Sequence, residues 1–221
     1  MTAVKMCGLT SLEDARWAWH CGADLLGFIF VPATPRYVDV TTVARITYAL
    51  TREGCTCRFV GVFAGAPHDV VRHAAIACGL HLIQLHGDES ADYVQALGLP
   101  VILARRVGAP TPWDDAAAGD AWAVLLDSFD PTRLGGTGRR WQWESLSEVT
   151  ERPRRLIVAG GLTPENVASA ILLARPWGVD VSSGVEASPG RKDPAKVKRF
   201  MEAVRAAEAD LPLGEGGHRE P

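Results

Sequence analysis

Short apolar runs recur along the chain at intervals of about 20 to 35 residues. Eight of them stand out, at residues 3–6, 25–30, 58–63, 82–85, 101–104, 123–126, 156–159 and 178–181. Each run is too short for a helix, and most are rich in leucine or β-branched residues without strict alternation. That pattern is typical of parallel strands that are covered on both faces. The runs therefore predict eight buried parallel strands.

Amphipathic segments lie between the runs, so a helix is expected after each strand. Ser11-Leu-Glu-Asp14 predicts a helix start through a capping box, and Thr163-Pro164-Glu165 predicts an N-cap followed by proline. Helical spacing is clear at residues 67–78, 90–97 and 194–209 and weaker at 113–119 and 143–149. Eight such units favour a single closed (βα)₈ barrel of the α/β class, with an open doubly wound sheet as the alternative.

The length of the chain suits one barrel better than two domains, since 221 residues would leave two domains cramped. We expect the barrel to span residues 1–209. Residues 210–221 lack periodicity and are expected to form a flexible C-terminal tail.

Charge and cysteine content exclude several classes of function. A net charge of −3 provides no basic field for nucleic acid or an anionic membrane surface, so neither partner is expected. No apolar stretch approaches the roughly 20 residues of a membrane span, and the N-terminus does not resemble a signal peptide. The five cysteines match neither a disulfide framework nor paired metal ligands. We therefore expect a cytoplasmic protein with reduced thiols.

Glycine and proline cluster after the predicted strands, where the loops are long, whereas the loops at the opposite end are tight. The clusters are Val31-Pro-Ala-Thr-Pro35, Gly135-Gly-Thr-Gly138, Gly160-Gly161 and Ser182-Ser-Gly184. In a parallel barrel the functional site is built from the loops that follow the strands. The asymmetry predicts a site at this end, which we call the mouth.

The loops after the last two strands are the clearest candidates for binding an anion. Gly160 and Gly161 follow the seventh strand; Ser182, Ser183 and Gly184 follow the eighth, with a short helix expected near Ser183. Backbone N–H groups, hydroxyls and the helix dipole would together form a phosphate cradle. A lone Gly-Gly pair usually marks only a turn, but two such loops after consecutive strands favour phosphate.

Two strand-end residues are candidates for proton transfer. Cys7 ends the first strand and is a candidate base, although a free cysteine is more often a small buried apolar side chain. A thiol with a pKa near 8.5 needs nearby cations or helix amides to act as a base, and Lys5 provides a cation only if both share the inner face. Asp127 ends the sixth strand, where partial burial would raise its pKa towards that of a proton donor. The alternative for Asp127 is a helix cap or a turn.

Three further side chains are candidates for contacting a substrate. Arg36 lies in the proline-rich loop after the second strand, either as a solvated surface residue or as a fixed fork for a substrate carboxylate. Gln84 and His86 share one face of the fourth strand, where they could hydrogen-bond a substrate or close the barrel. We expect a supporting role for this pair.

The order and spacing of these segments resemble the phosphoribosylanthranilate isomerase family, whose members are TIM barrels of tryptophan biosynthesis. The matching stretches are Val4-Lys-Met-Cys-Gly-Leu-Thr10, Gly27-Phe-Ile-Phe-Val-Pro32, Pro35-Arg-Tyr37, Gln84-Leu-His-Gly87, Leu125-Leu-Asp-Ser128, Gly135-Gly-Thr-Gly138, Ala159-Gly-Gly-Leu-Thr163, Gly178-Val-Asp-Val-Ser-Ser-Gly-Val-Glu186, Pro189-Gly190 and Lys192-Asp193. Several are short, but together they extend over most of the chain.

The resemblance implies an Amadori rearrangement of phosphoribosylanthranilate without a cofactor or a metal. It implies that Asp127 protonates the furanose oxygen and that Cys7 removes the proton from C2′ of the sugar. Arg36 would hold the anthranilate carboxylate, and the two late loops would hold the phosphate.

Two alternatives belong to other classes. A sugar-phosphate epimerase would need metal-binding histidines at strand ends, where only His86 is available, and indoleglycerol phosphate synthase would need catalytic lysines and a glutamate that the strand ends lack. A phosphate-binding barrel without catalysis would have no use for both Cys7 and Asp127.

The oligomeric state stays open between monomer and homodimer, since Trp17 and Trp19 could pack onto the barrel or onto a second subunit.

Overall fold

The computed structural model describes residues 1–106, 116–127, 146 and 152–211. The glycine loop at 135–138, most of the weak helical segment at 143–149 and the tail beyond Leu211 were subjects of prediction and lie outside the described residues. All statements below concern the described part of the chain.

Strands and helices alternate along the described residues, except between β6 and β7, where most of the chain lies outside them. The strands are β1 (Ala3–Met6), β2 (Leu25–Ile29), β3 (Arg58–Phe63), β4 (Leu82–Leu85), β5 (Val101–Arg106), β6 (Ala123–Asp127), β7 (Leu156–Val158) and β8 (Gly178–Val181). The α-helices are α1 (Leu12–His20), α2 (Val40–Arg52), α3 (His68–Cys78), α4 (Ala91–Leu97), α5 (Ala116–Gly119), α6 (Val167–Ala174) and α7 (Pro194–Ala209). After β8 come a 3₁₀ turn (Ser183–Val185) and a hairpin of β9 (Glu186–Ser188) and β10 (Arg191–Lys192).

The eight parallel strands close into a barrel in sequence order. Closure occurs where β1 pairs with β8 in parallel, from Ala3 opposite Gly178 to Met6 opposite Val181. The predicted (βα)₈ barrel is confirmed, and the alternative of an open doubly wound sheet is wrong. Because all the strands point the same way, all their carboxyl ends lie at the mouth.

Successive side chains along each strand point alternately into the barrel and outward to the helices, so they belong to two different apolar regions. One cluster takes alternate strand positions such as Val60, Leu82, Ile102 and Leu125, and it fills the barrel. The intervening positions pack with the helices in a different cluster that includes Met6. Near the mouth the inward positions become polar, so the barrel interior is apolar at its base and charged at its functional end.

Helix starts depart from expectation at two places. Ser11 caps α1 by accepting from the Asp14 N–H at 3.1 Å, but the carboxylate of Asp14 does not complete a capping box. It accepts instead from the backbone N–H of Lys192, at 3.1 Å. The predicted N-cap at Thr163 is also wrong as a boundary, because Thr163 begins a turn and α6 starts only at Val167.

Two indole side chains of α1 differ in exposure. Trp19 packs against the barrel core and stacks on His20 with ring centroids 4.5 Å apart. Trp17 stays 43% exposed.

Every helix in the described residues is too short or too polar to span a bilayer.

Removal of the α1 cap should lower stability without changing the fold. Ser11→Ala deletes the hydroxyl that accepts the Asp14 N–H, and such losses cost about 1 kcal/mol of unfolding free energy. Ser11→Asp keeps an acceptor at the same place and should retain most of it. Urea denaturation of the two variants and the parent chain checks this, and an equal loss in both would contradict the capping role.

Candidate active site

Cys7 follows β1 directly, and its thiol lies on the inner face of the barrel close to β2. A Cβ added to Gly27 would approach the Cys7 Sγ to 3.0 Å and the Lys5 Cε to 3.3 Å, so both side chains face Gly27. The ammonium group of Lys5 lies 2.9 Å from the Asp180 carboxylate across the β1–β8 seam, and the Lys5 side chain is only 1% exposed. The predicted sharing of one face by Lys5 and Cys7 is confirmed.

Opposing influences act on the ionisation of the thiol. Burial raises the pKa of Cys7, and the negative charge of Asp180 adds to this effect. Lys5 lowers it through its charge and a hydrogen bond, and Lys192 lowers it through charge alone, but burial prevails. For Lys5 itself, burial alone would lower the pKa, yet the charge of Asp180 holds it above its usual value. Lys5 therefore stays protonated beside the thiol.

Asp127, the last residue of β6, lies at the mouth next to His86. The two side chains are partly exposed, 28% for Asp127 and 35% for His86, and His86 Nε2 lies 3.4 Å from the Asp127 Oδ2. On the other side of the imidazole ring, Gln84 Nε2 lies 3.3 Å from the His86 Nδ1. Gln84 Oε1 is buried without a hydrogen-bond partner among the described residues. Gln84 on β4 and His86 just after it thus form a row of polar contacts that runs from the barrel interior to Asp127.

The loops after β7 and β8 touch through their backbones. Gly160 and Gly161 have φ values of 83° and 66°, which favour glycine, and no acceptor among the described residues takes their N–H groups. A Cβ on Gly184 would overlap the carbonyl oxygen of Leu162, so only glycine allows this approach. The 3₁₀ turn begins at Ser183 as expected, and its first N–H groups have no acceptor within the turn. The arrangement can hold an anion.

Asn166 holds the first of these loops, a role that the sequence did not indicate. Its side-chain amide donates to the Gly161 carbonyl oxygen at 2.9 Å and accepts from the Thr163 N–H at 2.8 Å. The sequence signal is an asparagine five residues after a Gly-Gly pair, which alone predicts only a turn or a cap. The loop geometry therefore depends on a short local network.

Arg36 lies at the mouth, but part of its fork is already engaged. Its Nε donates to Glu186 Oε1 at 2.8 Å and its Nη2 to Oε2 at 2.7 Å. Lys192 Nζ also donates to Glu186 Oε1, at 3.1 Å. Burial raises the pKa of Glu186, yet the hydrogen bonds from Arg36 and the charge of Lys192 hold it below its usual range. From the sequence alone, Glu186 and Lys192 are only members of two matching stretches, and no role is predicted for either.

Titratable side chains and two backbone loops thus converge at the mouth of a closed parallel barrel. Among the described residues, no three His, Cys, Asp or Glu side chains are grouped to hold a metal ion. Placement at the carboxyl ends of the strands is the arrangement of catalytic groups in (βα)₈-barrel enzymes. The fold and the site together define a protein of that class.

Comparison with known proteins resolves the class further. The profile of the family described as N-(5'phosphoribosyl)anthranilate (PRA) isomerase matches residues 4–203. An N-(5'-phosphoribosyl)anthranilate isomerase of Trichlorobacter lovleyi is 43% identical over 207 residues, which cover 94% of this chain and all of that relative. The chain belongs to the N-(5'-phosphoribosyl)anthranilate isomerase family.

Solved structures agree with this assignment. The phosphoribosyl anthranilate isomerase of Thermotoga maritima superimposes with a TM-score of 0.85 at 36% identity, covering 93% of this chain and 100% of that one. A phosphoribosyl anthranilate isomerase in complex with reduced 1-(o-carboxyphenylamino)-1-deoxyribulose 5-phosphate has a TM-score of 0.81 at 36% identity, with the same coverage. A further structure shows monomers of the dimeric Thermotoga maritima enzyme, at a TM-score of 0.80, 34% identity and the same coverage.

The ionisation of Cys7 should respond in opposite directions to its two charged neighbours. Iodoacetamide should alkylate Cys7 slowly at neutral pH, with a midpoint above that of a free thiol because burial raises the pKa. Lys5→Met removes a cation that lowers the pKa and should move the midpoint up. Asp180→Asn removes an anion that raises it and should move the midpoint down.

Mass spectrometry of the Cys7 peptide against pH separates this cysteine from the other four, all of which are free thiols. Far-UV circular dichroism of each variant provides the folding control. A shift in the same direction for Lys5→Met and Asp180→Asn would contradict the electrostatic account.

Proposed function

We propose that the protein catalyses the Amadori rearrangement of N-(5'-phosphoribosyl)anthranilate to 1-(2-carboxyphenylamino)-1-deoxyribulose 5-phosphate in tryptophan biosynthesis. Family membership over residues 4–203 supports this reaction. The observation that carries the proposal is a thiol and a carboxyl group, from Cys7 and Asp127, at the same end of one barrel. A rearrangement that needs one proton given and another removed requires such a pair.

Asp127 would act first, as the general acid. Its proton goes to the furanose ring oxygen, the C1′–O bond breaks, and the lone pair of the anthranilate nitrogen forms the C1′=N bond of a Schiff base. Partial exposure lets Asp127 meet a substrate, and the neighbouring His86 ring at 3.4 Å restricts its rotation. Gln84 Nε2 lies 3.3 Å from the other nitrogen of His86, and this contact supports the auxiliary role proposed for both residues.

Cys7 would act second, as the base. Its thiolate removes the proton from C2′, the electrons of that bond form C1′=C2′, and the electrons of the C1′=N bond return to nitrogen. The resulting enolamine tautomerises to the ketone, so the reaction is an isomerisation with no net change in atoms or electrons. Lys5 supports the thiolate with a fixed charge against the effect of burial. No cofactor and no metal enters these steps.

The two anionic ends of the substrate would be held on different loops. Arg36 binds the anthranilate carboxylate with the N–H groups that Glu186 does not use, since a guanidinium carries five. The free N–H groups of Gly160 and Gly161, the start of the 3₁₀ turn at Ser183 and Gly184, and the hydroxyl of Ser182 bind the phosphate. The Ser182 hydroxyl is buried without a partner among the described residues, and a hydrogen bond to the phosphate would satisfy it.

We further propose that the protein acts in the cytoplasm, on a small molecule and without nucleic acid or a membrane as a partner. Five free thiols and a net charge of −3 support this setting. Monomer and homodimer remain the two candidate oligomeric states, which analytical ultracentrifugation distinguishes.

Loss of either proton-transfer group should abolish most turnover while leaving the fold intact. Cys7→Ala and Asp127→Asn should each lower kcat by a factor on the order of 10² to 10⁴, the usual contribution of general acid or base catalysis. Steady-state kinetics with phosphoribosylanthranilate, together with thermal melts, measures both properties.

Matched controls replace the same residue types away from the mouth. Cys21→Ala at the end of α1 and Asp210→Asn at the end of α7 lie at the opposite end of the barrel and should keep parental kcat. The parent chain should also restore growth of an isomerase-deficient tryptophan auxotroph, and Cys7→Ala should not. Parental kcat in either mouth variant would refute the role assigned to that residue.

A further inference from the structure

Glu186 forms a bidentate pair with Arg36 that leaves one edge of the guanidinium unused. Nε and Nη2 donate to the two carboxylate oxygens, at 2.8 and 2.7 Å. No other acceptor among the described residues contacts Arg36, so both N–H groups of Nη1 and the second one of Nη2 remain for a ligand. A bidentate pair fixes the plane of the guanidinium as well as its position. Glu186 therefore decides the direction of the edge that remains.

Lys192 connects this pair to the loop after β8. Its ammonium group is fully buried and donates to Glu186 Oε1 at 3.1 Å and to the backbone carbonyl of Ser182 at 3.0 Å. Lys196 adds a third cation by donating to the backbone carbonyl of Glu186 at 2.8 Å. One buried side chain, Lys192, thus touches both the carboxylate behind Arg36 and the first residue of the candidate phosphate loop.

The hairpin that carries Glu186 and Lys192 is anchored on the opposite side. The Thr10 hydroxyl donates to the Gly190 carbonyl oxygen at 2.6 Å, and the Lys192 N–H donates to Asp14 at 3.1 Å. A Cβ on Gly190 would approach the Pro35 carbonyl oxygen to 3.2 Å, so the hairpin tip also lies against the loop of Arg36. The hairpin therefore cannot shift without moving the loops after β1 and β2.

Gly8, the residue after Cys7, marks the point where the parts meet. A Cβ there would lie 2.7 Å from the Arg36 Cδ and 2.8 Å from the Ser182 Oγ. The stem of the arginine and the hydroxyl of the phosphate loop thus pack against the same backbone unit. The charges of Arg36, Glu186 and Lys192 sum to one positive charge, which suits an incoming carboxylate.

We infer that Glu186 and Lys192 are positioning residues that hold the carboxylate-binding edge of Arg36 at a fixed separation from the phosphate loop. The site then selects anions whose carboxylate and phosphate are the right distance apart, as in a ribose 5-phosphate that carries an ortho-carboxyphenyl amine. This inference rests on the proposed function. It adds to it the groups that set the span between the two anionic ends.

The test replaces the two positioning residues and measures each anion site separately. Glu186→Gln keeps the shape but loses the charge that orients Arg36, and Lys192→Met keeps the stem but loses both contacts of the ammonium group. Glu202→Gln and Lys198→Met, on the exposed face of α7, are the matched controls. The readouts are KM and kcat for phosphoribosylanthranilate, and the inhibition constants of anthranilate and of inorganic phosphate used alone.

Glu186→Gln should raise KM and the anthranilate inhibition constant by about tenfold or more, the effect of weakening a charged hydrogen bond. The inhibition constant of phosphate should stay within about twofold, and kcat should change less than KM. Lys192→Met should raise the inhibition constants of both anions, because Lys192 contacts both parts. Glu186→Asp and Lys192→Arg, which keep the charges, should recover part of the loss and also serve if the first variants fail to fold.

Three results would overturn the inference. The first is a Glu186→Gln variant with parental KM, and the second is an equal weakening of anthranilate and phosphate in that variant. The third is a fall in kcat that only follows a loss of folded protein, with no change in KM. A parent chain that does not isomerise phosphoribosylanthranilate would refute the proposed function and this inference together, whereas an active parent with unaffected variants would refute the inference alone.

Discussion

Closure of the barrel by β1 and β8 is the constraint on which the rest of the structure depends. Four residue pairs, from Ala3–Gly178 to Met6–Val181, join the first strand to the last. Because every strand is parallel, this closure gathers the ends of all eight at one mouth. Groups as distant in sequence as Cys7 and Asp127 then lie at the same end of the barrel, and neither needs an unusual local conformation to reach it.

A second consequence of closure is that charged side chains become buried in numbers that demand partners. Lys5 with Asp180, and Arg36 with Glu186 and Lys192, are two such groups within the described residues. Buried ion pairs add little stability over an apolar core, but an unpaired buried charge is costly. The pairs are better explained by the geometry and charge that they impose on Cys7 and Arg36.

The repeating elements could be predicted from the sequence, but long-range pairings could not. Four of the eight strands have the predicted bounds and the other four differ by one or two residues at one end, because length and apolar composition decide a buried strand locally. The partners of Arg36 and Lys5 lie 150 and 175 residues away in the chain, and no spacing rule reaches that far. The Asp14 carboxylate shows the same limit. Its local sequence predicts a capping box, but in the fold the carboxylate accepts from the backbone N–H of the distant Lys192 instead.

The β1–β8 seam also bears on when the site comes into existence during synthesis. Translation makes Lys5, Cys7 and Arg36 early, whereas Asp180, Glu186 and Lys192 leave the ribosome near the end. A nascent chain that stops short of β8 has neither the seam nor the anions that accompany it, so its lysine and arginine can remain only in water. The Cys7 thiol is therefore enclosed only when nearly the whole chain is available to fold around it.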